Sequence, residues 1–495
     1  MIIARVLAAA ATAAGLAAWI LFLRADLVLS HYDARAHLVV SRRIIDSITP
    51  GWQQIGAVWL PLPHLLNALP SQVDFFYRTG AFASLISIAC FGVTAYATAR
   101  LVLTATASPL GAAVGTALLA LNPNLLYLQA TPMTEPMLLA SLSLIVLWLY
   151  EWVPLNQDAI PGRLALALVA AMLTRYEAWP VVGAAIAAAV YASARLGASP
   201  GVAIRRGLRL AAWPAAAVTL VLVNSRITVG AWFVSTGFFV PDPGYEGLAL
   251  RSVIAIWWGT HQLSTRVTEI VAVATAAFFL LRAVLRRADA ALVVPAALFA
   301  AGTLPALAFY QGHPFRIRYM VPMVAACALF CGLAVGVLRQ YPAVVLAGVL
   351  VGITLIQSPP WRRDAPMLLE AQWDAEAAAG RRAVTACLSP SYAGEKIVAS
   401  MGSLAHYMQD LSAEGIGIAD FIHEGNGVIW DLAMETGPAA QAGWMLVEEQ
   451  SEGGDALAQR VRRDPSFARG MQRICEGGGV ALYRRVLTGR SAGRY

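Results

Sequence analysis

The sequence predicts a polytopic α-helical membrane protein with a polar α/β domain at its C-terminal end. Three observations predict it. The chain of 495 residues is 58% hydrophobic and only 13% charged, with a mean hydropathy of +0.62, more apolar surface than a soluble core of this length needs. Apolar segments of roughly 18–20 residues, enough to span a bilayer core, recur through residues 1–357. After Pro359-Pro360-Trp361 the composition turns polar.

The apolar segments fall at about 5–27, 78–103, 109–129, 134–152, 162–175, 178–195, 208–228, 264–284, 290–310, 320–338 and 341–357, about eleven spans. The first is long for a signal peptide, and Arg24 follows it before any small-residue cleavage site, so an uncleaved anchor is expected. The fifth and sixth are separated only by Thr174-Arg175-Tyr176-Glu177-Ala178-Trp179-Pro180, which suggests a tight re-entrant pair. The formal net charge of +7 is no nucleic-acid signal, because much of it is arginine in short loops. Arg195, Arg205, Arg206 and Arg209, then Arg282, Arg286 and Arg287, then Arg339, mark three cytoplasmic loops. Counting spans from an inside N-terminus gives the same three loops. The same count puts Asp33, Glu135, Arg175, Glu177 and the loop 313–319 together on the opposite, extracytoplasmic side of the plasma membrane.

Residues 358–495 read as a soluble extracytoplasmic α/β domain. Lys396-Ile397-Val398-Ala399, Trp444-Met445-Leu446-Val447 and Val480-Ala481-Leu482-Tyr483 are strand-like. Residues 453–462 are helix-like, and Gly477-Gly478-Gly479 marks a turn. Cys90, Cys327 and Cys331 lie in apolar segments, where cysteine acts as a small hydrophobe. Cys387 and Cys475 lie in the polar domain. Their pairing stays open, since it depends on a distance and on an oxidising space.

Four sets of residues carry candidate chemistry. The first external loop, 29–77, holds His31-Tyr32-Asp33-Ala34-Arg35-Ala36-His37-Leu38 and Trp59-Leu60-Pro61-Leu62-Pro63-His64. A carboxylate at a membrane boundary is costly to keep without a role, and Asp33 suits proton acceptance from an attacking group. His37, four residues on, shares its face if a helix begins there. Glu135 opens the fourth span within Thr131-Pro132-Met133-Thr134-Glu135-Pro136. Arg175 and Glu177 form either a structural pair or a sugar-hydroxyl clamp. His313-Pro314-Phe315-Arg316-Ile317-Arg318-Tyr319 opens a late span, and the guanidinium forks of Arg316 and Arg318 suit phosphate oxygens. Trp52, Trp59, Trp179 and Trp232 read as an interfacial aromatic belt, with sugar stacking as the alternative. The long external loop 228–262, with Pro241-Asp242-Pro243-Gly244-Tyr245-Glu246, has no clear structure of its own, which suggests a role in covering substrate. No GxxxxGK[ST] phosphate loop and no GxSxG nucleophile elbow is present.

The order of these motifs resembles the membrane-embedded GT-C glycosyltransferases, whose catalytic acid follows the first helix. The Asp33-Ala34-Arg35-Ala36-His37-Leu38 and Pro61-Leu62-Pro63-His64 strings are similar to the corresponding loop of archaeal oligosaccharyltransferase catalytic subunits. The Arg318-Tyr319 pair resembles the donor-phosphate element of bacterial members. The resemblance implies a glycosyltransferase that moves a sugar from a polyprenyl-phosphate donor to a lipid, glycan or protein acceptor. Asp33 would be catalytic, and His37, Glu135, Arg175, Glu177, His313, Arg316, Arg318 and Tyr319 would bind substrate. It also implies a divalent cation, Mg or Mn, held by Asp33, His64 and Glu135, although protein O-mannosyltransferases and lipid A aminoarabinose transferases share the plan without a metal. The chain departs from oligosaccharyltransferases in two ways. Trp257-Trp258-Gly259 lies before the last spans, with no Trp-Trp-Asp in the polar domain, and Glu135 stands alone where an acidic pair is usual. Both argue against protein N-glycosylation. A transporter, the rival from another class, would need polar residues near the bilayer midplane, whereas these cluster at one face.

Overall fold

Helices that are apolar on every face satisfy their backbone internally and bury side chains against one another or lipid. The computed structural model describes residues 1–234, 241–450 and 454–486. Among the described residues, nine helical stretches are long and apolar enough to cross a membrane, and two shorter apolar helices, Pro109–Ala120 and Gly162–Met172, accompany them. Every segment expected as a span therefore carries an apolar helix, but two stop short of span length.

The N-terminal half runs α1 (Ile2–Arg24), α2 (Tyr32–Arg42), α3 (Leu62–Asn67), α4 (Asp74–Thr79), α5 (Ala81–Thr106), α6 (Pro109–Ala120), α7 (Pro123–Leu128), α8 (Glu135–Trp152), α9 (Gly162–Met172) and α10 (Ala178–Arg195). It continues through α11 (Pro200–Val229), α12 (Ala249–Leu263), α13 (Arg266–Leu285), a 3-10 stretch Arg287–Gly302, α14 (Thr303–Tyr310), α15 (Val321–Val337) and α16 (Gln340–Gln357). The expected span 109–129 breaks at Asn122-Pro123. Asn122 Oδ1 accepts the backbone N–H groups of Asn124 and Leu125 and so starts α7 as a separate helix. The loop 228–262 is not structureless, because α12 fills much of it and Gly247 N–H donates to Tyr310 O at 2.9 Å. Residues 235–240 of that loop lie outside the described residues.

Two glycine pairs set a close helix crossing. Gly111 and Gly115 of α6 face Gly332 and Gly336 of α15. A Cβ on Gly111 would lie 2.5 Å from Gly332 O, and one on Gly332 would lie 2.8 Å from Gly111 O. Small residues four apart on each helix permit that approach. The crossing fixes α15, which the short turn holding Arg318 and Tyr319 leads into.

The C-terminal part begins with α17 (Pro366–Ala371), α18 (Ala375–Leu388) and α19 (Met401–Leu411), around a five-stranded sheet. Its strands are β1 (Ile397–Ala399), β2 (Phe421–Ile422), β3 (Trp444–Glu448), β4 (Met471–Gly477) and β5 (Val480–Arg485), in spatial order β2-β1-β3-β5-β4. β1 is parallel to β2 and β3, while β5 is antiparallel to β3 and β4. The β4–β5 turn needs positive φ twice, supplied by Gly478 (φ 56°) and Gly479 (φ 80°). The thiols of Cys387 and Cys475 are both free.

The two parts interpenetrate. Ala365, Met367, Leu368 and Ala371, beyond the composition change, join the helical core. In return Ala36, Leu38 and Val39 of α2, with Tyr77, join the core beneath the sheet. The segment 29–77 is therefore clamped between bundle and sheet. Asp46 accepts the N–H groups of Ile418 and Ala419, and Gln54 donates to Gly425 O.

Candidate functional site

His31 caps the start of α2, its Nδ1 accepting the Asp33 N–H at 3.1 Å. That cap turns Asp33 inward on the first turn. Across from it, the short 3-10 turn Ile317–Met320 leads into α15 and aims Arg318 at α2. Asp33 and Arg318 form a direct ion pair, with the two residues 6% and 8% exposed. Burial alone would raise the Asp33 carboxyl, but the charge and hydrogen bond of Arg318 hold it down at about 2.

Two groups not singled out from the sequence complete this centre. His31 is fully buried, and Glu370 of α17 reaches it with Oε1 3.4 Å from His31 Nε2. Because His31 Nδ1 accepts from Asp33 N–H, a neutral ring carries its proton on Nε2 and donates it to Glu370. Arg318 Nη1, 3.4 Å from the same Nε2, is then a close neighbour without a hydrogen bond. Glu370 Oε1 also lies 3.8 Å from Arg318 Nε, an atom with no hydrogen-bond acceptor among the described residues. Burial would raise the Glu370 carboxyl, yet the His31 hydrogen bond and Arg318 bring it below its usual range.

His37 lies within electrostatic reach of Asp33, Arg318 and Arg175. Its Nδ1 is 3.0 Å from His64 Nε2, and His64 Nδ1 is 3.0 Å from Leu60 O. The carbonyl can only accept, so His64 carries its proton on Nδ1 and His37 donates from Nδ1. That leaves His37 Nε2 as an acceptor. Trp59 lies parallel to His64, with centroids 5.8 Å apart, and against His37 at 4.2 Å. Its role is to pack the imidazole pair. Burial drives the His64 pKa down to about 3 and that of His37 well below its usual value, so both are neutral near pH 7.

The third group is a single cation between two acids. Arg175 Nη1 is 2.9 Å from Glu135 Oε1, and its Nη2 is 2.6 Å from Glu177 Oε1. Arg175 also donates to Thr134 Oγ1 at 3.1 Å. Burial would lower the Arg175 pKa, but the two carboxylates raise it. Neither Glu135 oxygen has an aligned hydrogen-bond donor among the described residues, although the residue is 1% exposed. Tyr319 connects the groups, within electrostatic reach of Arg318, Glu177, Arg175 and Asp33, and its hydroxyl is 3.3 Å from His313 Nε2. Arg316 stacks over Trp373, 5.1 Å from the ring centroid.

All the expected site residues thus fall in one tract, but not in the expected metal set. Asp33 is paired with Arg318, His64 with His37 and Leu60, and Glu135 with Arg175. Among the described residues, no three His, Cys, Asp or Glu side chains are grouped so as to hold a metal ion. The arrangement of Asp33, His64 and Glu135 among the described residues does not fit a divalent cation. The tryptophans also divide. Trp52 and Trp232 are exposed, while Trp179 packs on Tyr176 and Phe233. No protein-family model matches the chain, and no curated protein matches it.

Proposed function

We propose that the protein is a GT-C-type glycosyltransferase of the plasma membrane, transferring a sugar from a polyprenyl-phosphate donor to an acceptor on the extracytoplasmic side. The meeting of Asp33 with Arg318, from opposite ends of the helical region, is the observation that carries the reading. A lipid-linked donor keeps its tail in the bilayer and its phosphate at the base of α15. The Arg318 guanidinium takes the leaving phosphate and stabilises its charge. Once drawn to phosphate, Arg318 releases Asp33, which accepts the proton of the attacking acceptor group. Arg175 with its two acids, and Tyr319 with His313, line the sugar side of the same tract.

Charge placement supports the orientation. Glu135 and Glu151 lie at opposite ends of α8, about 24 Å apart at the helical rise. Glu151 pairs with Arg100 and Arg163, and Arg205, Arg206 and Arg209 gather on Asp158 just beyond it. This arginine-rich end is the cytoplasmic one under the positive-inside rule. The test is a screen of purified protein against polyprenyl-phosphate sugars. Wild type should transfer from at least one, and Asp33→Asn should lose transfer by at least about 100-fold while expressing normally. Wild-type turnover by Asp33→Asn refutes the base assignment, and no transfer from any donor refutes the reading.

A further inference from the structure

We propose that Glu370 is a tethered stand-in for the donor phosphate: a carboxylate latch that must leave Arg318 before a polyprenyl phosphate can seat. The proposal rests on the reading of this tract as a donor site and adds its regulation. Glu370 belongs to α17, in the segment that ties the last membrane helix to the sheet domain. Its side chain is 10% exposed and faces His31 and Arg318, with Arg316 within electrostatic reach. A guanidinium and an imidazole N–H facing one anion, with a second guanidinium within electrostatic reach, form a set suited to phosphate.

The fit of the carboxylate is incomplete. Glu370 Oε1 stands 3.8 Å from Arg318 Nε, beyond hydrogen-bond reach, and that Nε–H has no acceptor among the described residues although Arg318 is 8% exposed. An unsatisfied buried N–H costs stability, and a charged one more than most. A tetrahedral phosphate presents oxygens in several directions and reaches Nε and Nη together. A carboxylate held on a six-residue helix does not. The helix itself is fixed, since Met367 N–H donates to Asn124 Oδ1 at 3.0 Å. Release of the latch is therefore a rotation of the Glu370 side chain, not loss of α17. Coupling follows directly: the anion that expels Glu370 also competes with Asp33 for Arg318, so donor arrival and exposure of the base are one event.

Binding of farnesyl phosphate to the full chain in detergent tests this, with inorganic phosphate as the arm that separates a lipid-borne from a free anion. Glu370→Gln should bind farnesyl phosphate about tenfold more tightly than wild type, the effect of removing one competing charge. Arg318→Ala should not bind it, and inorganic phosphate should bind far more weakly. Unchanged or weaker binding by Glu370→Gln, with wild type binding and Arg318→Ala not, overturns the latch and leaves the donor site standing. Binding by neither wild type nor Glu370→Gln overturns both, and equal affinity for the two anions overturns the lipid-borne source. Carbodiimide labelling of wild type gives a second measurement free of mutation. Farnesyl phosphate should at least double modification of Glu370, and unchanged or reduced modification overturns the latch.

Discussion

Arg318→Ala is expected to destabilise the protein by roughly 3–5 kcal/mol and to abolish retention of a polyprenyl phosphate. The size follows from what is left behind. Asp33 loses its partner in a site it cannot leave, because α2 is clamped between the bundle and the sheet. Glu370 loses one of its two cationic neighbours at the same time. Removing one member of a buried pair costs more than the pair contributes, since the remaining charge stays desolvated. The pH dependence gives the sign. The Asp33 carboxyl is depressed from 3.8 to about 2. Its contribution is therefore complete above 3.8 and is lost as pH falls from 3.8 towards 2. Without Arg318, burial raises the Asp33 carboxyl in the variant, so the gap between wild type and Arg318→Ala should be constant near and above neutral pH and should narrow as pH falls through the acidic range. Adding Asp33→Asn to Arg318→Ala should recover much of the loss. A gap below 1 kcal/mol, or no recovery in the double variant, places the pair in solvent instead.

The second large effect is at Arg175. Arg175→Met leaves Glu135 and Glu177 buried together without a cation, their side chains 1% and 7% exposed. The expected loss is again roughly 3–5 kcal/mol, and Glu135→Gln in the same chain should restore at least half of it. A solvated sugar-hydroxyl clamp would behave differently, losing less than about 1 kcal/mol on the same substitution. Thermal unfolding of the two variants in detergent separates the cases. Arg175 is engaged by both carboxylates and by Thr134 Oγ1, and the size of the measured loss decides between the two.

Much of the helical layout was legible in the sequence, because uninterrupted apolar stretches leave few alternatives. The break in the third apolar segment was legible too, since Asn122-Pro123 is a cap followed by a first-turn proline, but hydropathy alone hid it. The glycines at 111 and 115 and at 332 and 336 are visible as small-residue motifs, yet nothing along the chain says that they face each other. Counting spans against arginine loops put Asp33 and Arg318 on one side, but their direct pairing is visible only in the structure. What failed was the choice of partners. Asp33, His64 and Glu135 each find a nearer partner, and pairing between charges is decided in three dimensions. Glu370 was missed for a related reason. It follows the composition change at Pro359-Pro360, so it read as part of a separate soluble domain. Only the burial of Ala365, Met367, Leu368 and Ala371 in the helical core shows that its helix belongs to the site. His31 escaped notice because its capping role is invisible until α2 exists.

The central claim is that Asp33 and Arg318 share one lipid-accessible phosphate site, and photo-crosslinking tests it most directly. A polyprenyl phosphate with a photoreactive group beside its phosphate, presented in lipid nanodiscs, should label α2 near Asp33 and the 313–320 segment. Labelling should fall to background in Arg318→Ala variants that remain folded. Labelling at the Glu151 and Asp158 end of the bundle, or labelling indifferent to Arg318, would contradict the account.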